Sequence, residues 1–136
     1  MILGIGTDIV RIERMEAALS RHGARFAIRL LARSELDDFM RAARPAAFLA
    51  KRFAAKEALV KALGTGFRDG IRPRHVVVHR DDLGKPELQL TGAARDQAEQ
   101  MGVGRIHLSL TDEQEYAVAF VVVEGGDLGK AAVRSP

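Results

Sequence analysis

The chain has 136 residues, 47% hydrophobic and 29% charged, a length and balance that fit one compact soluble domain and exclude a disordered chain. The absence of cysteine excludes disulfides, a thiolate nucleophile and a zinc–sulfur site, and no apolar run nears the roughly 20 residues that span a bilayer. Net charge is only +3, yet Arg11, Arg14, Arg21, Arg25, Arg29 and Arg33 face only Glu13 and Glu16 in one segment, which points to an acidic partner: nucleic acid, an acidic protein or a phosphorylated cofactor.

MILGIGTDIVRIERM lacks a basic start, and an aspartate breaks its apolar stretch, so it does not read as a secretory signal; with no cysteine, a cytoplasmic address is expected. Ile2 to Val10 reads as a β-strand, and the glycines at 4 and 6 mark where another element approaches the backbone closely. A helical period runs from about Arg11 to Leu31 with a break near Gly23. Ser34, followed by Glu35, Leu36, Asp37 and Asp38, opens a short helix with acids in its first turn. That helix stops near Arg44, because Pro45 disfavours helical geometry in the residue before it.

Pro45 then opens the strongest helix, PAAFLAKRFAAKEALVKALG, which Gly64 closes as a C-terminal cap. Residues 64–74 form a glycine-punctuated loop. Strands are expected at His75–His79 and Glu87–Leu90, joined by a turn through Asp82, Leu83, Gly84, Lys85 and Pro86. A helix over Thr91–Met101 precedes two strands, Arg105–Leu110 and Tyr116–Glu124. From Gly125 onward no apolar face remains and a mobile tail is expected. Helices crowd the first half and paired strands the second, an α+β pattern with antiparallel pairing around one long helix. A core this small would gain from association with copies of itself.

Two carboxylates stand out. Asp8 lies in an apolar strand, on the face that regular alternation gives to Ile2 and Val10, and Glu57 falls on a stripe with Leu49, Phe53, Val60 and Leu63. A carboxylate in such surroundings needs a cation or a metal, and magnesium takes hard oxygens from one or two carboxylates and completes its shell with water and phosphate. Lys61, four residues after Glu57, can hold that carboxylate or reach an oxygen that gains charge in phosphoryl transfer; an ordinary surface ion pair is the alternative. Arg14, Arg21 and Arg25 form a ridge beside Met15, Leu19 and Phe26, suited to an acidic helix or else simply a solvated face. Gly64, Thr65 and Gly66 can offer backbone N–H groups to an anion. His75 and His79 stand about 13 Å apart along a strand, too far for one zinc. His107 reads as a satisfied strand residue, and Ser109 has no acid–base partner nearby in sequence.

Together, GIGTDIVRIERM, FLAKRFAAKEALVKALGTG, GKP and HLSLTDEQEYAVAFVVVE are similar, in order and spacing, to the holo-acyl-carrier-protein synthase family, the short bacterial 4'-phosphopantetheinyl transferases. The resemblance covers nearly all of residues 2–124. It implies that family's fold, with one transferase domain over residues 1–124, a tail over 125–136, and assembly as a homotrimer with active sites between subunits. It implies transfer of the phosphopantetheine arm of coenzyme A to a serine of an acyl carrier protein, with Mg²⁺. Asp8 and Glu57 match the magnesium carboxylates and Lys61 the neighbouring active-site lysine. Arg14, Met15, Arg21, Arg25 and Phe26 match the helix that receives the carrier. Lys56, Gly64, Gly66, Lys85, Pro86, His107, Ser109 and Thr111 fall in segments used around coenzyme A. Two other readings compete. A magnesium-dependent pyrophosphohydrolase would use the same carboxylates, and a small RNA-binding domain would use the arginines, although aromatics make up only 5% of the chain.

Overall fold

In the computed structural model, which describes residues 1–126, the first and last strands of the chain lie side by side. β1 (Ile2–Arg11) pairs antiparallel with β5 (Tyr116–Gly125), and β5 pairs antiparallel with β4 (Val103–Asp112), giving the order β1-β5-β4. Between β1 and β4 the chain forms α1 (Ile12–His22), α2 (Ala24–Leu30), α3 (Arg33–Met40), α4 (Pro45–Leu63), a 3₁₀ turn (Pro73–His75), the hairpin β2 (Val76–Arg80) and β3 (Pro86–Leu90), and α5 (Gly92–Met101). The result is the expected α+β architecture. Gly125 closes β5, and the expected tail beyond residue 126 lies outside the described residues.

The core sits between α4 and one face of the three-stranded sheet. Alternation along β5 turns Ala117, Ala119, Val121 and Val123 inward, and α4 meets them with Ala54, Ala55, Ala58 and Ala62, all buried. Small residues on both sides let helix and sheet come close, while Leu49 and Leu59, fully buried, each stabilise the fold by about 1.5–3 kcal/mol. The single apolar stripe expected for α4 is not what the structure shows. The helix is buried on nearly every side, with Lys56 enclosed as completely as its buried alanines and Arg52 nearly so.

Punctuation in the sequence falls where the structure bends. Gly23 separates α1 from α2 in a conformation (φ 61°, ψ −149°) that is essentially restricted to glycine. Pro45 occupies the first turn of α4 and Gly64 ends it in left-handed geometry. α3 begins at Arg33, one residue earlier than expected, because the Glu35 carboxylate reaches back to accept the Ala32 N–H. A register shift between Ile2 and Gly4 takes Ile2 out of alternation. It is exposed, while Asp8 keeps the inward side with Val10.

The opposite sheet face is bare. Ile5, Ile9 and Phe120 are each about half exposed or more, and His107, Ser109 and Thr111 project from β4 on the same side.

Candidate active site and adjoining basic groove

The site begins with two missing side chains. β1 lies so close on α4 that a Cβ on Gly4 would stand 2.0 Å from the Ala62 carbonyl oxygen, and one on Gly6 would stand 1.9 Å from that of Ala58. These glycines set the strand directly on the helix backbone, and two residues further on the same face Asp8 arrives beside Glu57 and Lys61. Lys61 donates to Asp8 Oδ1 and to the Thr7 carbonyl, both at 3.0 Å. The lysine therefore holds Asp8, not Glu57 as its helical spacing suggests. The reason is tertiary: β1 supplies an acceptor pair in front of its ammonium.

Glu57 is half-buried, and its carboxyl is pushed up from the ordinary range. Burial is the main cause and the neighbouring Asp8 charge the next, with Lys61 and Arg14 pulling in the other direction. Two acids from separate elements thus share one partly enclosed place. Among the described residues no group of three or more histidine, cysteine or acidic side chains forms a metal cage. A pair of hard-oxygen donors with open positions fits a divalent cation that takes its remaining ligands from water and phosphate. That cation would offset both the burial and the Asp8 repulsion that raise Glu57.

A groove of about 640 Å³ runs along α1 and α2, lined by Arg14, Arg21, Arg25, Phe26, Arg29 and Phe53. The ridge of arginines is thus real, with Phe26 half-buried between its charges. Met15 lies in the floor of the groove but is 2% exposed, so it supports the ridge and offers a partner almost no surface. Arg14 links groove and site. Its guanidinium stacks 5.5 Å from the centre of the Phe53 ring, one helical turn before Glu57, and its charge acts on the Glu57 carboxyl.

The remaining expected residues divide. The N–H groups of Gly64, Thr65 and Gly66 do not form an anion cradle: the first donates to the Lys61 carbonyl and the other two to that of Val60, closing the helix. Lys85 and Pro86 stand at the β2–β3 turn, where Asp81 Oδ1 accepts the Leu83 and Lys85 N–H groups and fixes the loop. His107, Ser109 and Thr111 lie on the outer sheet face, opposite the side on which Asp8 and α4 meet. Within one chain they are not brought to the two carboxylates. His107 Nε2 instead shares a 2.6 Å hydrogen bond with Glu124.

Lys56 departs furthest from expectation. It is fully buried, and its three N–H donors are taken by Glu35 Oε1 (2.7 Å), the Val76 carbonyl (2.6 Å) and the Pro73 carbonyl (3.0 Å). No donor is left for a phosphate, so direct contact with coenzyme A is ruled out in this geometry. Burial pulls its ammonium down from the ordinary lysine range, against the opposing pull of Glu35. Glu35, read from sequence only as a helix-start acid, and Arg52 complete this enclosed network. Phe53 also went unnoticed in the sequence as a groove residue; its place one turn before Glu57 was the available signal.

A protein-family model described as the 4'-phosphopantetheinyl transferase superfamily matches residues 4–121. The holo-[acyl-carrier-protein] synthase of Halorhodospira halophila is 56% identical over 126 residues, 93% of this chain and 100% of that protein. The crystal structure of the Neisseria meningitidis holo-[acyl-carrier-protein] synthase superposes with a TM-score of 0.87 at 45% identity, covering 91% of this chain and 99% of that one. That of the Bacillus anthracis holo-(acyl-carrier-protein) synthase, in complex with CoA (3',5'-ADP), gives a TM-score of 0.78 at 36% identity, covering 93% and 99%.

Proposed function

We infer that this chain, which belongs to the holo-[acyl-carrier-protein] synthase family of 4'-phosphopantetheinyl transferases, moves the phosphopantetheine arm of coenzyme A onto a serine of an apo acyl carrier protein and releases adenosine 3',5'-bisphosphate. The observation that carries the reading is the position of Arg14 at both places. An acidic helix docked along the arginines would set its serine at the end of the groove, beside Glu57. Met15 is left out of that docking surface, and Arg29 and Phe53 join Arg14, Arg21, Arg25 and Phe26 in it.

Asp8 and Glu57 would hold Mg²⁺, which when bound supplies neutralisation and orientation of the pyrophosphate oxygens. The serine oxygen forms a bond to the phosphorus bearing pantetheine, and the bond from that phosphorus to the bridging oxygen breaks. Lys61 uses two donors on Asp8 and Thr7, which leaves a third for an oxygen of the leaving phosphate as charge grows there. Glu57, beside the end of the groove that Arg14 shares, is the group in this chain placed to take the serine proton through a water. Catalysis is then mainly alignment and charge balance.

The working unit in this reading is a homotrimer. The bare sheet face with Ile5, Ile9 and Phe120 is covered by copies of the chain, and His107, Ser109 and Thr111 reach coenzyme A from the neighbouring copy. Gly64, Gly66, Lys85 and Pro86 flank the ligand through their backbone path. No helix among the described residues is long and apolar enough to cross a membrane. A cytoplasmic address belongs to the same proposed reading.

Intact mass spectrometry of apo carrier protein, incubated with the enzyme, coenzyme A and Mg²⁺, tests the reaction. The expected result is a gain of one phosphopantetheine arm, lost when Mg²⁺ is chelated. Cleavage of coenzyme A without any gain by the acceptor would establish a pyrophosphohydrolase instead.

A further inference from the structure

Glu35 and Lys56 form the most enclosed charged pair among the described residues, and the transfer chemistry makes no use of either. Glu35 accepts four donors: Lys56 Nζ, the Ala32 N–H at 2.8 Å, Arg52 Nη1 at 3.2 Å and the Val78 N–H at 3.1 Å. Lys56 in turn grips the carbonyls of Pro73 and Val76. Every buried side-chain N and O atom among the described residues has a partner. A buried ion pair seldom stabilises a fold more than apolar side chains of the same shape would. Its distinguishing property is that it fixes geometry through specific directions, and here what it fixes is backbone.

The gripped backbone is one end of the segment that leaves α4 at Gly64. The near end is fixed where the Val60 carbonyl accepts the Thr65 and Gly66 N–H groups. The far end is fixed by Lys56 at Pro73 and Val76 and by Glu35 at Val78. Between them residues 67–72 are held by the bond from the Ile71 N–H to the Arg68 carbonyl, by the buried Ile71 side chain with Phe67 packed against the core, and at Arg72 by bonds to His75, which itself lies in the gripped end. The Arg72 N–H donates to His75 Nδ1 and the Arg72 carbonyl accepts the His75 N–H. Val60 and Lys56 belong to α4, the helix that carries Glu57 and Lys61, and Glu35 braces the far end from α3.

We propose that Lys56 and Glu35 are positioning residues for the coenzyme A site, a buried clamp that holds the 64–72 loop at a fixed place relative to Glu57 and Lys61 before the ligand arrives. The proposal rests on the reading above, in which coenzyme A lies along Gly64 and Gly66. Lys56→Met removes the grip on Pro73 and Val76 while keeping the length of the side chain, and Glu35→Gln weakens it from the other side. With the loop released, ordering it becomes a cost of binding. Both variants should raise the KM for coenzyme A by about tenfold or more, with the KM for carrier protein unmoved and kcat at saturating coenzyme A within about threefold of the parent. A pair that merely stabilises the fold would lower the melting midpoint and leave that KM where it was.

A cooperatively folded Lys56→Met enzyme with the parental KM for coenzyme A overturns the proposal. Parent enzyme that transfers no arm to carrier protein in the same assay overturns the underlying reading instead. Hydrogen exchange on the parent protein decides the matter should neither variant fold. The Val78 amide should be protected without ligand, and coenzyme A should add protection at residues 65–72; a Val78 amide that exchanges as fast as the free loop refutes a preformed clamp.

Discussion

Gly6→Ala tests how the site is built, because it adds one methyl group where the strand meets the helix backbone. That Cβ would stand 1.9 Å from the Ala58 carbonyl oxygen and 2.8 Å from the Ala62 nitrogen, both main-chain atoms that cannot rotate away. Ordinary contact begins at 3.4 Å, so β1 has to withdraw by about 1.5 Å (3.4 − 1.9). The same withdrawal takes Asp8 from 3.0 Å to beyond hydrogen-bond reach of Lys61 and away from Glu57. Overpacking of this kind costs about 1–3 kcal/mol, a fall of about 4–12 °C in melting midpoint for a chain of this size. Misplacement by an ångström or more should lower turnover about a hundredfold. Gly102→Ala is the control. Its φ of 80° costs an L-residue about 1–2 kcal/mol, but its Cβ would meet nothing within 4 Å, so stability should fall and activity stay. Thermal melts and carrier-protein turnover, measured on both variants, give the comparison. Gly6→Ala enzyme with parental turnover and magnesium affinity would refute the argument that backbone contact places Asp8.

Glu57→Gln should abolish turnover and magnesium binding without unfolding the chain, as read by mass spectrometry and calorimetry. The parent's melt carries a pH signature that this variant lacks: burial and Asp8 raise the folded-state pKa of Glu57, so the stability this group contributes is present at low pH and is lost as pH rises from the ordinary carboxylate range through the raised value. Without metal, the parent should therefore lose stability over that window relative to Glu57→Gln, and Mg²⁺ should restore it. Arg21→Glu combined with Arg25→Glu, chosen because Arg14 also acts on Glu57, should raise the KM for carrier protein at least tenfold with that for coenzyme A unchanged. Phe120→Glu should give monomers by light scattering, since it places a charge on the bare sheet face; trimers at micromolar concentration would show that this face is not the interface.

The elements marked by local chemistry were legible in the sequence. Gly23, Pro45 and Gly64 punctuate the helices where they were read to, and the glycines of β1 do mark a close approach. The partner of that approach was not legible, because β1 pairs with β5 across more than a hundred residues, and strand order depends on contacts that no local pattern encodes. The two carboxylates stood out as polar residues in apolar stretches, and the structure does set them together. Lys61 was assigned to the wrong one, since a four-residue spacing shows only which side of a helix a group leaves, not what another element brings to meet it. Lys56 is harder still. In an alanine-rich helix buried on all sides a lysine looks like a surface residue, and its counter-charge sits 21 residues earlier in a helix start that already had an ordinary explanation.

The charges at the site explain why the two carboxylates can be assembled before any ligand arrives. Formally, Asp8 and Glu57 are balanced by Lys61, bonded to Asp8, and Arg14, whose field reaches Glu57. The protein alone thus holds a near-neutral cluster, which folding tolerates far better than two unpaired acids in a half-buried place. Adding a divalent cation leaves a surplus of two positive charges, the amount that a doubly charged diphosphate bridge would complement. Since Arg14 also lines the groove, an acidic carrier that engaged it would weaken its pull on Glu57. Under the proposed transfer reaction, one arginine shared between two surfaces would link docking of the acceptor to the carboxylate pair.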